Sequence, residues 1–219
     1  MKKYIKVLKD TALFSGVTEE DIEKMLDCLS IRERNYKKND IILLAGTKVD
    51  AIGVVAEGTA QIVRDELDGE RTILSELMRA DIFAEAYVVA ETAEIPISVI
   101  ATADCKVLWI PFSKVVVYCS FTCEYHRVLI QNLMKLIAEK NILMNEKMRI
   151  LSQKTTREKL MCYLNDYSEK VGKNKFKIPF SRSELADYLS VDRSAMSREL
   201  GKLRDEGYIR FNKNEFEIL

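Results

Sequence analysis

Between Glu124 and Leu151 the chain runs 28 residues without a glycine or a proline. As a helix this stretch spans about 42 Å. Ile130, Met134, Ile137, Asn141, Met144, Met148 and Leu151 recur alternately four and three residues apart. That is a heptad seam with one polar break. A second stripe, Leu129, Leu136, Leu143 and Ile150, lies on another side of the same helix. A helix with two apolar faces has two surfaces to bury. We expect one to pack on a domain of its own chain and the other on a second copy. A single polar residue such as Asn141 in a seam fixes register between parallel helices. One long core helix in a monomer is the alternative reading of the same spacing.

Composition excludes several other classes. The hydrophobic fraction is 47%, above that of disordered chains. The longest run without a charged residue is nine, at Val115–Cys123 and again at Ile95–Ala103. A membrane-spanning helix needs about 20 apolar residues. Met1-Lys2-Lys3-Tyr4 leads into mixed charge, so no secretory signal is expected. The five cysteines are Cys28, Cys105, Cys119, Cys123 and Cys162. Scattered and odd in number, they read as reduced thiols of a cytoplasmic protein. Basic and acidic side chains balance at 34 each, but residues 152–219 hold 14 basic and 11 acidic. That excess permits a DNA-binding C-terminal part without demanding one.

The first 30 residues read as helical. Thr18 caps a helix whose face is Ile22, Met25, Leu26 and Leu29. From about Asn35 to Pro111, short β-branched runs alternate with turn residues, including a hairpin signal at Asp68-Gly69. Several short strands at near-regular spacing predict a small sandwich or barrel. Beyond the long helix, Thr155-x-x-Glu158 is a capping box for a helix with the face Leu160, Leu164, Tyr167 and Val171, stopped by Gly172. Lys173–Lys177 and Pro179 read as a turn. Ser181-x-x-Glu184 opens a short helix, Arg182–Leu189, and Asp192 caps another. Two such helices joined by three residues form a helix-turn-helix. Leu185, Val191, Met196, Leu200 and Leu203 fill its core. Arg193, Ser194, Ser197, Arg198 and Lys202 form its exposed side, suited to a major groove. Tyr208–Phe211 and Glu215–Leu219 form a terminal hairpin, a wing. No phosphate-binding glycine loop, metal-ligand cluster or nucleophile elbow is present, so neither an enzyme nor a metal site is expected.

These segments together resemble the Crp/Fnr family of transcriptional regulators, the cyclic-AMP receptor protein superfamily. Leu13–Glu20 resembles its N-terminal entry, and Asp81-Ile82-Phe83-Ala84-Glu85-Ala86 the start of its phosphate-binding cassette. The long helix resembles its dimerisation helix, and Phe180–Leu200 its winged helix-turn-helix. The resemblance implies an α+β chain in three parts. Residues 1–123 would form a β-roll (jelly-roll) sensor of the cyclic-nucleotide-binding type, 124–151 a dimerisation helix, and 152–219 a winged helix-turn-helix. It also implies a homodimer on a palindromic double-stranded operator, RNA polymerase as a partner, no membrane association, and Arg182 among the DNA-binding residues.

The departures from the family bear on the effector. Ala84 stands where the cassette has glycine, Glu85 is retained, and Ile95 stands where the phosphate-binding Arg falls. Only Cys28 lies near the N-terminus, where the iron–sulfur branch has a cysteine cluster. The lone His126 reads as structural. With Tyr87 and Ile97, the cassette residues Ala84, Glu85 and Ile95 outline an effector pocket for an apolar or aromatic molecule, or for none, rather than cyclic AMP. No cofactor is evident. Arg79 or Lys106 could replace the missing Arg if the fold turned either inward. Ser194 replaces a common Glu, and Ser190 replaces the usual turn glycine at little cost provided its φ is negative.

Overall fold

A computed structural model describes residues 2–65, 71–116 and 124–219, and the chain divides into two compact units, Met1–Glu139 and Lys140–Leu219. Asp68-Gly69, Cys119 and Cys123 fall outside the described residues.

The first unit begins with helices α1 (Ile5–Asp10) and α2 (Glu19–Leu29). The Thr18 hydroxyl accepts the Asp21 amide at 3.2 Å, and three acidic residues fill the first turn of α2 at the positive end of its dipole. Eight strands follow: β1 (Arg32–Tyr36), β2 (Ile41–Leu43), β3 (Ala51–Glu57), β4 (Ala60–Asp65), β5 (Arg71–Leu77), β6 (Ile82–Phe83), β7 (Ser98–Ala101) and β8 (Cys105–Pro111). They form two antiparallel four-stranded sheets, ordered β1-β8-β3-β6 and β2-β7-β4-β5. Helices α3 (Glu85–Val89) and α4 (Phe112–Val116) are short. β4 and β5 remain paired out to Asp65 and Arg71. The sandwich expected from strand spacing is thus present. β1 was not anticipated, because Arg-Glu-Arg-Asn-Tyr carries no apolar alternation. Pairing with β8 defines it.

Two cores share one wall. Ile52, Val54 and Ala56 of β3, with Leu108 and Ile110 of β8, pack against α1, α2 and the long helix α5 (Glu124–Leu151). The alternate residues Ala51, Val55, Val107 and Trp109 face the second sheet. A strand buried on both faces reads as a continuous apolar run rather than an alternation. At Gly53 this wall has no room for a side chain: an added Cβ would lie 2.2 Å from Cζ of Phe83. Leu129, Leu133 and Leu136 bring α5 onto the first core. The Asn132 side-chain amide ties it down by donating to the carbonyls of Leu13 and Ser15 at 2.9 and 2.8 Å.

In the second unit, Ile150 of α5 joins α6 (Thr156–Val171), α7 (Arg182–Leu189) and α8 (Arg193–Asp205). Both predicted capping boxes are complete, and Gly172 ends α6 in the left-handed conformation. Three expectations are corrected. Lys175–Lys177 is a strand, β9, pairing with β11 (Glu215–Ile218) beside β10 (Ile209–Asn212), because the buried Phe176 needs Phe216 opposite it. Leu160 and Leu164 are buried as expected, but Val171 is exposed and Tyr163 is the third buried residue of α6. Leu143, on the second stripe, is 58% exposed.

Ser190, between α7 and α8, sits at φ 50°, ψ 58°, so the negative φ that would make its presence cheap is absent. A non-glycine residue there costs about 1–2 kcal/mol. Glycine also raises the entropy of the unfolded chain, which takes back part of the gain. Ser190→Gly should therefore raise unfolding stability of the C-terminal unit by roughly 0.5–1 kcal/mol, read as a higher denaturant midpoint at unchanged slope. A lowered midpoint would mean that the serine relieves strain elsewhere.

Candidate DNA-binding face and effector cassette

α8 is presented by local capping and by the core behind it. The Asp192 carboxylate accepts the Ala195 amide at 2.8 Å and the Ser194 hydroxyl at 2.5 Å, and these bonds hold it below the usual carboxylate range. Met196, Leu200 and Leu203 are buried beneath the helix with Leu185, Ala186 and Leu189 of α7. Arg157 of α6 pairs with Glu199 in the middle of α8 and with Glu206, the residue that caps its C-terminus. The Lys159 ammonium donates to the Leu189 carbonyl at 3.2 Å, tying α6 to the end of α7. These three contacts were not read from sequence, because they join residues about 30 to 50 positions apart with no periodic signature.

Arg193, Ser194, Ser197, Arg198 and Lys202 are all exposed, as expected. Their hydrogen bonding differs. Ser194 is engaged in the cap, and the Ser197 hydroxyl donates to the Arg193 carbonyl at 2.8 Å. Lys202 pairs with Glu199 at 3.2 Å. Among the described residues, the guanidinium groups of Arg193 and Arg198 make no hydrogen bond or ion pair, and Arg198 reaches the cap only through the field it adds at Asp192. An exposed guanidinium near the N-terminal half of such a helix has the donor fork that matches guanine in a major groove.

Arg182 departs from the expected pattern. Its guanidinium lies 4.9 Å from the ring centres of both Phe211 and Phe216 in the wing. Its two terminal nitrogens are buried and lack hydrogen-bond partners, and burial lowers its affinity for the proton. It therefore joins α7 to the wing and does not stand on the exposed face. Tyr163 is the hub of the aromatic cluster behind α7, within 5.5 Å of Tyr188 and 6.1 Å of Phe180. Its spacing of three from Leu160 was the available signal.

In the first unit, Ala84 takes φ 66° at the start of α3, a left-handed conformation that glycine adopts without strain. Ala84, Glu85, Ile95 and Ile97 are buried, and Tyr87 is half-buried. Ile95 is 1% exposed, and its backbone bonds both ways to the Gly46–Thr47 turn, at 2.9 and 3.0 Å. Arg79 pairs with Asp10 and Lys106 with Glu57, both on the surface, so neither turns inward. His126 is 5% exposed, in keeping with a structural role. Along the seam of α5, Met134, Asn141, Met144 and Met148 are exposed, while Ile130, Ile137 and Leu151 are half-buried. Among the described residues no group of His, Cys, Asp or Glu could hold a metal ion, and no helix is long and apolar enough to cross a membrane.

Comparison with known proteins agrees with this layout. A cyclic nucleotide-binding domain matches residues 33–119, and a Crp-like helix-turn-helix domain matches residues 158–219. The chain is 25% identical over 188 residues to transcriptional activator protein FnrL of Cereibacter sphaeroides, covering 80% of this chain and 71% of that one. It is 24% identical over 209 residues to transcriptional activator protein anr of Pseudomonas aeruginosa, covering 93% and 83%. In fold it is similar to the catabolite activator protein of Thermus thermophilus, with a TM-score of 0.51, 23% identity and coverage of 95% and 94%. CprK in complex with OCPA superposes with a TM-score of 0.60 at 14% identity, covering 91% and 89%. A sandwich of the cyclic nucleotide-binding type, then a long helix, then a Crp-like helix-turn-helix, in one chain, is the order of a DNA-binding transcription regulator, and the chain belongs to the Crp/Fnr family.

Proposed function

We propose that the chain acts as a homodimer on palindromic double-stranded DNA, with α8 of each copy reading one half-site in the major groove. The free guanidinium groups of Arg193 and Arg198 on an exposed helix face are the observation that carries this reading. In it, Arg198 reads a guanine, Lys202 holds a phosphate, and Ser194 and Ser197 contribute less because their hydroxyls are already engaged. Arg182 acts through the wing it packs under. Residues 1–123 serve as sensor, 124–151 as dimerisation helix and 152–219 as DNA-binding domain. The protein works in the cytoplasm, without catalysis, in contact with RNA polymerase.

Dimerisation draws support from the exposed methionines. Met134, Met144 and Met148 of the seam are 67%, 65% and 64% exposed. A row of exposed methionines on one side of a helix calls for a covering surface, and a second copy of the seam supplies it. Ile137→Glu/Met144→Glu would set like charges facing each other across the seam, desolvated without partners. The double variant should sediment as a monomer and lose DNA binding. A dimer that survives it would place the interface elsewhere.

The base contacts separate by their sequence dependence. Arg198→Ala should cost about 1–3 kcal/mol and relax specificity at one position per half-site, while Lys202→Ala weakens all sequences alike and lowers the salt slope. Half-sites should lie about one helical turn, ~34 Å, apart. Uniform losses for Arg198→Ala on all duplexes would reduce it to a backbone contact.

The effector of the cassette is not cyclic AMP in this reading. A cyclic phosphate needs a cation in the pocket, because an unpaired buried ion costs several kcal/mol. Ile95 offers neither charge nor donor, and Arg79 and Lys106 are paired elsewhere. Titration calorimetry should detect no cyclic AMP or cyclic GMP binding tighter than about 100 μM. Tighter binding that also strengthens operator affinity would overturn this.

A further inference from the structure

The first unit has a concavity whose lining includes none of Ala84, Glu85, Tyr87, Ile95 and Ile97. It encloses about 420 Å³, within the ~300–1,000 Å³ of small-molecule sites. β1 contributes Arg32 and Arg34, two residues apart and so on one side of the strand. Arg32 is paired in register with Trp109 of β8, which lines the same cleft. The connection from β2 to β3 adds Lys48, and α4 adds Lys114. Asp50 is the single acidic residue of the lining.

Nearby lysines on the same unit are neutralised: Lys37 by Asp104 and Lys106 by Glu57. Among the described residues, the four cations of the cleft make no hydrogen bond or ion pair. In a chain with equal numbers of basic and acidic groups, four unpaired cations around one concavity hold a local positive potential. The wall beneath them is apolar and fixed. Phe83 meets Trp109 edge-on at 5.3 Å, and the Trp109 indole N–H donates to the Tyr36 hydroxyl at 3.3 Å. Val49 closes the apolar side.

The geometry points to a binding site for a small organic anion, a carboxylate carried on a flat apolar body. The body lies along Trp109 and Val49, and the carboxylate meets Arg32, Arg34, Lys48 and Lys114. A guanidinium fork matches a carboxylate in a bidentate geometry that a lone ammonium cannot provide. This site shares the Phe83–Trp109 contact with the cassette segment but does not rest on the DNA-binding reading, and its test uses no DNA.

Trp109 is the one tryptophan of the chain and lines this cleft, so its emission reports a ligand seated there, and the double substitution below assigns the signal to the cleft. The full-length protein is titrated with 4-nitrobenzoate, whose nitro ring quenches an indole in contact, and with the uncharged 4-nitrobenzamide. The acid should quench saturably, and added salt should weaken it. The amide should quench only linearly, by collision. Arg34→Gln/Lys48→Gln should weaken the acid about fivefold to tenfold, and Asp50→Asn should strengthen it about twofold. A gain of affinity is not a result that misfolding produces. Equal quenching by acid and amide overturns the proposal, as does an affinity that the double substitution leaves unchanged. Saturation by hexaglutamate, with none by 4-nitrobenzoate, also overturns it and makes the cleft a docking surface for acidic chains.

Discussion

Everything in this chain depends on one helix having more apolar surface than a single core can take. α5 gives Leu129, Leu133 and Leu136 to the sensor core and Ile150 to the core of the C-terminal unit, and it leaves Met134, Met144 and Met148 in the open. A helix of this length has little stability in water from propensity alone; its packed faces hold it. Burial at both ends makes it continuous, and the middle is left as a surface still to be covered. The Asn132 amide bonds to Leu13 and Ser15 fix its rotation against the sensor, and so fix which residues face outward.

How much of this could be read beforehand follows from the range of each interaction. Caps and boxes at Thr18, Thr155, Ser181 and Asp192 are signals within four residues, and all four form as read. β1 and β9 were invisible because their stability comes from partners far along the chain, and their own residues are polar. The sign of φ at Ser190 was misread for another reason: the resemblance puts a glycine at this turn, which points to positive φ, but serine itself carries no such signal because it is strained in the left-handed region. The exposed face of α8 was legible from periodicity. The hydrogen bonds that occupy Ser194 and Ser197 were not, nor was the placement of Arg182 over two wing phenyls.

The same limits explain the two sides of the sensor. That Ile95 stands where the family has a charged residue is what the resemblance implies, and its burial at 1% suits an apolar side chain. The cleft beside Trp109 is assembled from β1, β8, α4 and the connection from β2 to β3, which no spacing rule links. Its charges looked like ordinary solvated side chains until the fold brought them around one concavity.

The wall shared by β3 and β8 has a mechanical meaning. Val55 and Val107 are paired and face the inter-sheet core, while their immediate neighbours Val54 and Leu108 are paired and face the helices. Dense interiors have low compressibility and transmit strain. A partition one backbone thick, with no cushion of solvent on either side, passes displacement on instead of absorbing it. A methyl group pushed from within the sandwich is felt one residue away, by the layer where Leu129, Leu133 and Leu136 hold the long helix. The shortest route for strain from the sensor's interior to that helix is through the strands themselves, with no hinge or moving loop in between.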